Sequence, residues 1–403
     1  MEEYDVLIAG GGPIGAAVGA WCAASGHTVA IYEDHANIGI PMHCAGLVTD
    51  RAFTIPGLPK DYLVLNTITG AQIHSPSGHS IHIGGDRTHA LVIDRARYDQ
   101  ALMQKAVTAG VTLHTKEKIT EAGQSEEDVW VSNPQYSSRG KILVGADGAH
   151  STIRSLFDFP QPTEFLEGAG AIVSDVNLDQ QTVIIYLGSK IAPGFFAWII
   201  PLNSKGTEAR IGLCKTQKTS PSLQQCFQTL LQVPPLAHAH IASRYGGLVP
   251  LGAVEPSVLS RVMLVGDAAG QVKPTSGGGI VTGLLCARAC AGAIHQALCE
   301  PSLSLRELSR YQPRWRHAVG RELSMGMMFR SYYREMADSR IDQWITDLDK
   351  PAVLAAIARA GDIDYPSRLL LPILRASPGL ATKLPGILLN RSRGHRLRGA
   401  GGT

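Results

Sequence analysis

The stretch "YDVLIAGGGPIGAAVGAWCAASGHTVAIYED", Tyr4 to Asp34, decides the fold. It opens on an unbroken apolar run, Val6 to Ala9, as expected of a strand covered on both faces. Gly10, Gly12 and Gly15 follow in the spacing Gly-x-Gly-x-x-Gly, then small residues over a helical length, then a second apolar run from Val29 that ends on Glu33. Strand, glycine turn, helix and strand with a terminal acid make a βαβ nucleotide-binding unit. Gly10 permits the tight turn, Gly12 lets backbone approach a pyrophosphate, and Gly15 lets helix and strand pack closely. The helix start at Ile14 offers free N–H groups and a partial positive charge. Glu33 is placed to accept ribose hydroxyls, and its charge disfavours a 2′-phosphate in this site.

The run from Val6 to Gly26 carries no charged side chain, yet it does not read as a signal or a span. Glu2, Glu3 and Asp5 precede it where a signal carries basic residues, and Gly10-Gly11-Gly12-Pro13 interrupts it. A cytoplasmic protein is the expectation. The seven cysteines, at 22, 44, 214, 226, 286, 290 and 299, show no paired CxxC spacing, which argues against a disulfide framework and against a zinc site. Cys286 and Cys290 share a helical face and read as packing residues; no metal is expected. Charge is unevenly spread: from Pro301 onward 17 Lys/Arg stand against 9 Asp/Glu, while the preceding residues carry 20 against 25. The basic end, with apolar runs Leu369 to Leu374 and Leu384 to Leu389 and arginines 391, 393, 396 and 398, reads either as a solvated or core-packed segment or as a contact for an anionic membrane surface. Nothing in the composition points to a nucleic-acid partner.

Two further glycine and acid stretches bear on which dinucleotide is bound. "ILVGADGAHSTIR" (142–154) is a strand followed by Asp147-Gly148, where Asp147 is expected to contact the cofactor. "VMLVGDAAGQVKPTSGGGIVTGLLCARACAGAI" (262–294) is a strand, a turn at Asp267, and a second helix led by Gly277, Gly278, Gly279 and Ile280. An NAD site has no need of that second helix. FAD has a ribitol chain and a ring system beyond its pyrophosphate: Asp267 is suited to a ribitol hydroxyl, and the helix start at Gly278, Gly279 and Ile280 to the ring edge that becomes anionic on reduction.

Together these stretches resemble the FAD-dependent oxidoreductases of the p-hydroxybenzoate hydroxylase superfamily over most of residues 1–300. The resemblance extends to "VIDRARYDQALMQKAVTAGVTL", in which it implies that Arg95 lies along the FAD; the residues alone leave an exposed helix-start arginine equally open. Within the superfamily, "PMHCAGL" (41–47), "FFAWIIP" (195–201) and "GDAAGQVKPTSGGGI" (266–280) resemble the geranylgeranyl reductase family, which saturates isoprenoid double bonds. The resemblance implies a flavin contact at Cys44 and Ala45 and a substrate wall from Phe196, Trp198 and Pro201; the residues alone leave Cys44 open as a proton carrier with His43 as a second, as a group that positions the ring, or as a packing residue. Ile200 stands where the family usually has a second aromatic. The substrate implied is a geranylgeranyl-chain lipid, and the electron donor is ferredoxin, reduced deazaflavin or NADPH.

The expected fold is α/β: a Rossmann-like FAD-binding domain (1–64, 88–156 and 258–300), an inserted mixed β-sheet substrate domain (65–87 and 157–257) and a helical C-terminal part (301–403). Three other functions share that fold. A flavin monooxygenase is disfavoured by the cysteine turn, an electron-transfer quinone reductase by the lack of an iron–sulfur cysteine cluster, and a non-catalytic prenyl-lipid carrier by the retained fingerprints.

Overall fold

The computed structural model describes residues 2–300 and 303–379, which form two compact units woven from alternating segments of the chain. The first unit takes the residues up to 65, with 92–166 and 247–323; the second takes 66–91, 167–246 and those from 324 onward.

The first unit is built on a parallel sheet. Its strands are β1 (Glu2–Ala9), β2 (Val29–Glu33), β3 (Thr112–Thr115), β4 (Ser137–Gly145) and β5 (Val262–Leu264), in the spatial order β3-β2-β1-β4-β5. Ala9 lies between Tyr32 on one side and Gly145 on the other, so β1, β2 and β4 end level. The order reverses between β1 and β4, and it is outside the carboxyl ends of such strands that α/β sheets bind ligands. An antiparallel hairpin (Glu121–Gln124 and Val129–Ser132) extends β4, and a short strand, Val258–Leu259, runs antiparallel to β5. Val6, Leu7 and Ile8 are wholly buried. Burying each such aliphatic side chain stabilises by about 1.5–3 kcal/mol.

Helices cover this sheet. In α1 (Pro13–Ala24), Pro13 occupies the first turn, where its missing N–H leaves no bond unmade. The helix is rich in glycine and alanine because neighbours crowd it: a Cβ on Gly19 would meet Ile31 Cδ1 at 2.8 Å. It packs against α2 (Arg95–Thr108) and, on another side, α4 (Ile280–Leu298). A single turn, α3 (Thr152–Leu156), follows β4. Helix α4 is long and apolar enough to cross a membrane, but 67% of that window is buried within the protein. Cys286 and Cys290 lie on it at 0% exposure, their thiols pushed up by burial, as packing residues.

The second unit is a seven-stranded mixed sheet in the order His240–Leu251, Glu164–Ser174, Glu208–Thr216, Phe196–Pro201, Thr182–Leu187, Gly70–His74, Ser80–Gly84. Its core is one face of that sheet, where Ala197, Ile199, Ile211 and Leu213 pack on Cys226, Phe227 and Leu230 of the helix Leu223–Leu231. A capping box fixes that helix's start, with Ser222 and Gln225 bonding each other's backbone N–H.

The C-terminal part expected from 301 as one region is divided. Helix α5 (Tyr311–Trp315) belongs to the first unit, because Tyr311 and Trp315 are buried there and Trp315 Nε1 donates to Ser257 Oγ at 3.0 Å. The residues from 324 belong to the second unit: Arg330 donates to Thr216 Oγ1 at 2.7 Å and to the Gly194 carbonyl, and Ser189 donates its N–H and hydroxyl to Asp338. The expected boundaries at 157 and 257 move as well, since 157–166 and 247–257 lie in the first unit. The apolar run Leu384 to Leu389 and the arginines 391, 393, 396 and 398 lie outside the described residues.

Candidate active site

At the carboxyl ends of β1 and β4 the chain comes so close to itself that only glycine fits. Gly10 has φ +98°, and a Cβ there would sit 2.5 Å from the Ala146 carbonyl oxygen; one on Gly15 would sit 2.0 Å from the Gly10 oxygen. Such a contact cannot be relieved without moving backbone. Gly12 is the opposite case, with no atom within 4 Å of the position its Cβ would take, so open space lies before the start of α1. No side chain caps that helix start. Uncapped N–H groups facing open space are suited to a phosphate. The Ile14 side chain acts elsewhere, filling the notch left by Gly266 and Gly283 and so fixing α1 against the turn after β5 and against α4.

Glu33 lies beside this turn. One carboxylate oxygen accepts from the Gly11 N–H at 2.8 Å; the other accepts from the His35 backbone at 3.0 Å and stands 2.6 Å from His35 Nδ1. Burial pushes Glu33 upward, but hydrogen bonds from Asp34, His35 and Gly11 outweigh it and hold the group below its ordinary value. Its neighbour Asp34 is raised by burial and by Glu33. Glu33 is thus held as an acceptor at the edge of the nucleotide turn, and His35, which sequence reasoning missed, is part of its support.

The two aspartates that come after strands behave differently. Asp147 accepts the Ser151 hydroxyl at 2.6 Å and the Ile153 N–H at 3.1 Å, so its oxygens hold the start of α3. Its backbone forms part of the wall against Gly10. The Asp267 side chain accepts no hydrogen bond from the described residues. Burial raises it, and Arg95 eases that cost. A Cβ on Gly279 would stand 2.8 Å from Asp267 Oδ1, which brings the carboxylate beside the start of α4 at Ile280, again with no capping side chain. Next to it Gly278 leaves room for the buried Lys273, whose Cε and Nζ would lie 3.0 and 3.3 Å from a Cβ there.

Cys44 answers to Arg95. The Arg95 fork grips Asp99 at two points, Nε to Oδ1 at 2.8 Å and a terminal nitrogen to Oδ2 at 2.9 Å. Burial works against this cation, but Asp99 and then the nearby Cys44 raise its affinity for the proton. The Cys44 sulfur accepts from the Gly46 N–H at 3.3 Å. Arg95 is therefore no exposed helix-start residue: it is committed to Asp99 within the protein, with Cys44 nearby. The spacing of Arg95 and Asp99, one helical turn apart, carried the signal for that pair. His43 differs from its neighbour, lying exposed on the same turn, while Ala45 is half-buried.

In the second unit, Phe196 and Trp198 share the sheet face opposite the core. Their rings meet edge on at 6.0 Å, and Phe195 stacks on Phe196 at 4.4 Å. Trp198 lies over Gly212, where a Cβ would come within 2.6 Å of its ring. Its indole Nε1 is buried with no hydrogen-bond partner among the described residues. Ile200 and Pro201 are buried. This is an apolar wall with one unused donor.

The residues of the first unit fit FAD. Open space before an uncapped helix suits its pyrophosphate, Glu33 its ribose, and an aspartate that the described residues leave without a hydrogen bond, beside a second uncapped helix, its polyol and ring edge. Residues 3–300 match the family described as FAD binding domain. A digeranylgeranylglycerophospholipid reductase of Methanosarcina acetivorans is 27% identical and covers 85% of this chain and 87% of its own. An uncharacterized protein of Methanocaldococcus jannaschii is 28% identical across 93% of this chain and 96% of its own. The crystal structure of a geranylgeranyl bacteriochlorophyll reductase-like protein from Thermoplasma acidophilum shares the fold, with a TM-score of 0.85 at 20% identity over 96% of this chain and 100% of that one. The chain belongs to the FAD binding domain family and is an FAD-dependent oxidoreductase.

Proposed function

We propose that this protein saturates the isoprenoid double bonds of geranylgeranyl chains, on a membrane glycerophospholipid or its precursor. The observation that carries this reading is the near full-length similarity to a digeranylgeranylglycerophospholipid reductase, in a chain that places the "PMHCAGL" thiol against Arg95. An isolated trisubstituted alkene is unpolarised, so its reduction calls for a strong hydride donor, dry surroundings and a proton. Reduced FAD, when bound, supplies the hydride. Around it, Gly12 and the start of α1 hold the pyrophosphate, Glu33 the ribose, Asp267 the ribitol, and Gly278, Gly279 and Ile280 the ring edge. Cys44 is the proton carrier at the reacting carbon, oriented by Arg95 and the Gly46 N–H, and exposed His43 exchanges protons with solvent. Phe196 and Trp198 form the apolar wall for the chain, with Pro201 ending their strand.

The electrons come from an external donor: ferredoxin, reduced deazaflavin or NADPH. A lipid substrate of this length is delivered at a surface, so the protein works in the cytoplasm, docked peripherally on anionic lipid. Leu370 and Leu371, 40% and 63% exposed in a short helix that follows Arg368 and carries Arg375 in its last turn, support that placement. Mass spectrometry of lipids from cells expressing the protein tests the reading. Geranylgeranyl lipids should gain two hydrogen atoms per bond saturated, and unchanged lipids in cells that hold the yellow, FAD-loaded protein would overturn it.

A further inference from the structure

Beyond the residues that carry the glycine and aspartate motifs, Tyr311 of α5 reaches back to the turn that presents Asp267. Its hydroxyl donates to the Leu264 carbonyl at the end of β5 at 3.0 Å and accepts from Gln271 Nε2 at 2.8 Å. The other end of the Gln271 amide, Oε1, accepts from the Gly266 N–H at 2.9 Å. Tyr311 and Gln271 are both at 0% exposure, so these bonds have no water to replace them. Gly266 and Gln271 also bond backbone to backbone at 3.0 Å, which closes the loop around Asp267 into a ring tied at both ends. Set within that ring, the Asp267 carboxylate accepts no hydrogen bond from the described residues.

We infer that Tyr311, acting through Gln271, is a positioning residue for the FAD site: it fixes the turn from Leu264 to Gln271 so that the Asp267 carboxylate stands beside the start of α4. The inference rests on the reading of Asp267 as an FAD contact and is independent of which alkene is reduced. A buried chain of this kind holds one geometry because each member, once freed, leaves a polar atom unsatisfied. Tyr311→Phe keeps the ring and its packing and removes only the hydroxyl.

The test is a double-mutant cycle on FAD affinity, read on the holoenzyme from the FAD released on dilution, with the unfolding temperature in saturating FAD followed in parallel. Asp267→Asn should weaken FAD by about a hundredfold and Tyr311→Phe, which removes the hydroxyl's two buried bonds at one remove from the ligand, by about tenfold. In the Asp267→Asn background, adding Tyr311→Phe should cost less than about twofold more, because the group being positioned is already gone. The fall in unfolding temperature in saturating FAD should follow suit, larger in the wild-type background than beside Asp267→Asn, because bound FAD stabilises in proportion to the logarithm of its affinity. The same tenfold loss in both backgrounds, or wild-type FAD affinity in Tyr311→Phe, would overturn the inference. So would unchanged affinity in Asp267→Asn, which removes the contact itself, whatever lipid the enzyme reduces. If Tyr311→Phe does not fold, Gln271→Met, similar in volume and unable to make either bond, carries the same cycle with the same outcomes.

Discussion

Asp147 and Asp267 stand at the ends of adjacent parallel strands, each in a glycine-flanked turn, and they do unlike work. Asp147 spends its carboxylate on the Ser151 hydroxyl and the Ile153 N–H and so builds a helix start. Asp267 receives no such bond from the described residues, though burial raises it as burial raises Asp147. A buried acid with no donor costs stability unless something else supplies one. The difference teaches that a glycine and aspartate turn becomes a ligand contact or a local scaffold according to the residues just downstream. Four residues after Asp147 comes a serine that turns to it; four after Asp267 comes Gln271, whose amide is spent on Tyr311 and Gly266 instead.

The comparison breaks most easily at FAD retention. Asp267→Asn should release FAD far more readily than Asp147→Asn does: about a hundredfold in affinity against less than about threefold, as expected where a charged acceptor meets the ligand in one case only. Equal losses, measured by equilibrium dialysis of the holoproteins, would erase the distinction. A smaller effect, on turnover only, sharpens the position of the thiol. Cys44→Ser should slow single-turnover alkene reduction by about tenfold or more with FAD content intact, while Cys286→Ser leaves it unchanged. Equal rates in the two variants would make Cys44 a packing residue.

Next in size is the scaffold. Ser151→Ala removes both the cap of α3 and one partner of Asp147, and should lower stability by about 1 kcal/mol in urea titration with no change in FAD affinity. The smallest effect concerns His27, which stands 3.0 Å from His295 Nδ1. Burial lowers its pKa from 6.5, with Asp5 opposing and His295 and Lys141 adding to the shift. The unfolded chain therefore binds the proton more readily, so stability is full above 6.5 and is lost as pH falls below it toward the depressed folded value. His27→Asn should flatten that part of the stability profile; an unaltered slope would assign it to other groups.

The glycine fingerprint was legible because Gly10 and Gly15 meet backbone that no side chain could share, a demand that leaves its mark in residue type. The Arg95–Asp99 pair was legible in its helical spacing, although the sequence resemblance turned attention toward the cofactor instead. Asp147 was read as a cofactor contact because its residue type and position match those of Asp267; only the hydrogen bonds from Ser151 and Ile153 show where its oxygens go. Tyr311 could not be read at all, since its partners lie 40 and 47 residues earlier. For the same reason the C-terminal part was taken as one region: nothing local to 301–323 says that Tyr311 and Trp315 are buried under residues from the middle of the chain.

The weaving of the two units has a consequence for how the protein is made. The chain passes between units at 65/66, 91/92, 166/167, 246/247 and 323/324, five times in all. A ribosome releases the phosphate turn before the insertion that supplies much of the second sheet, and β5 and Asp267 only after it. The nucleotide unit must wait, its β1 edge unpaired with β4 for more than a hundred residues of synthesis. Such distant pairing is slow to form and leaves strand edges open to other chains. FAD in the medium of synthesis should therefore act as a late lock, joining on only when β5 and α4 have been delivered, and a chain cut before β5 should remain colourless however well its early segments fold.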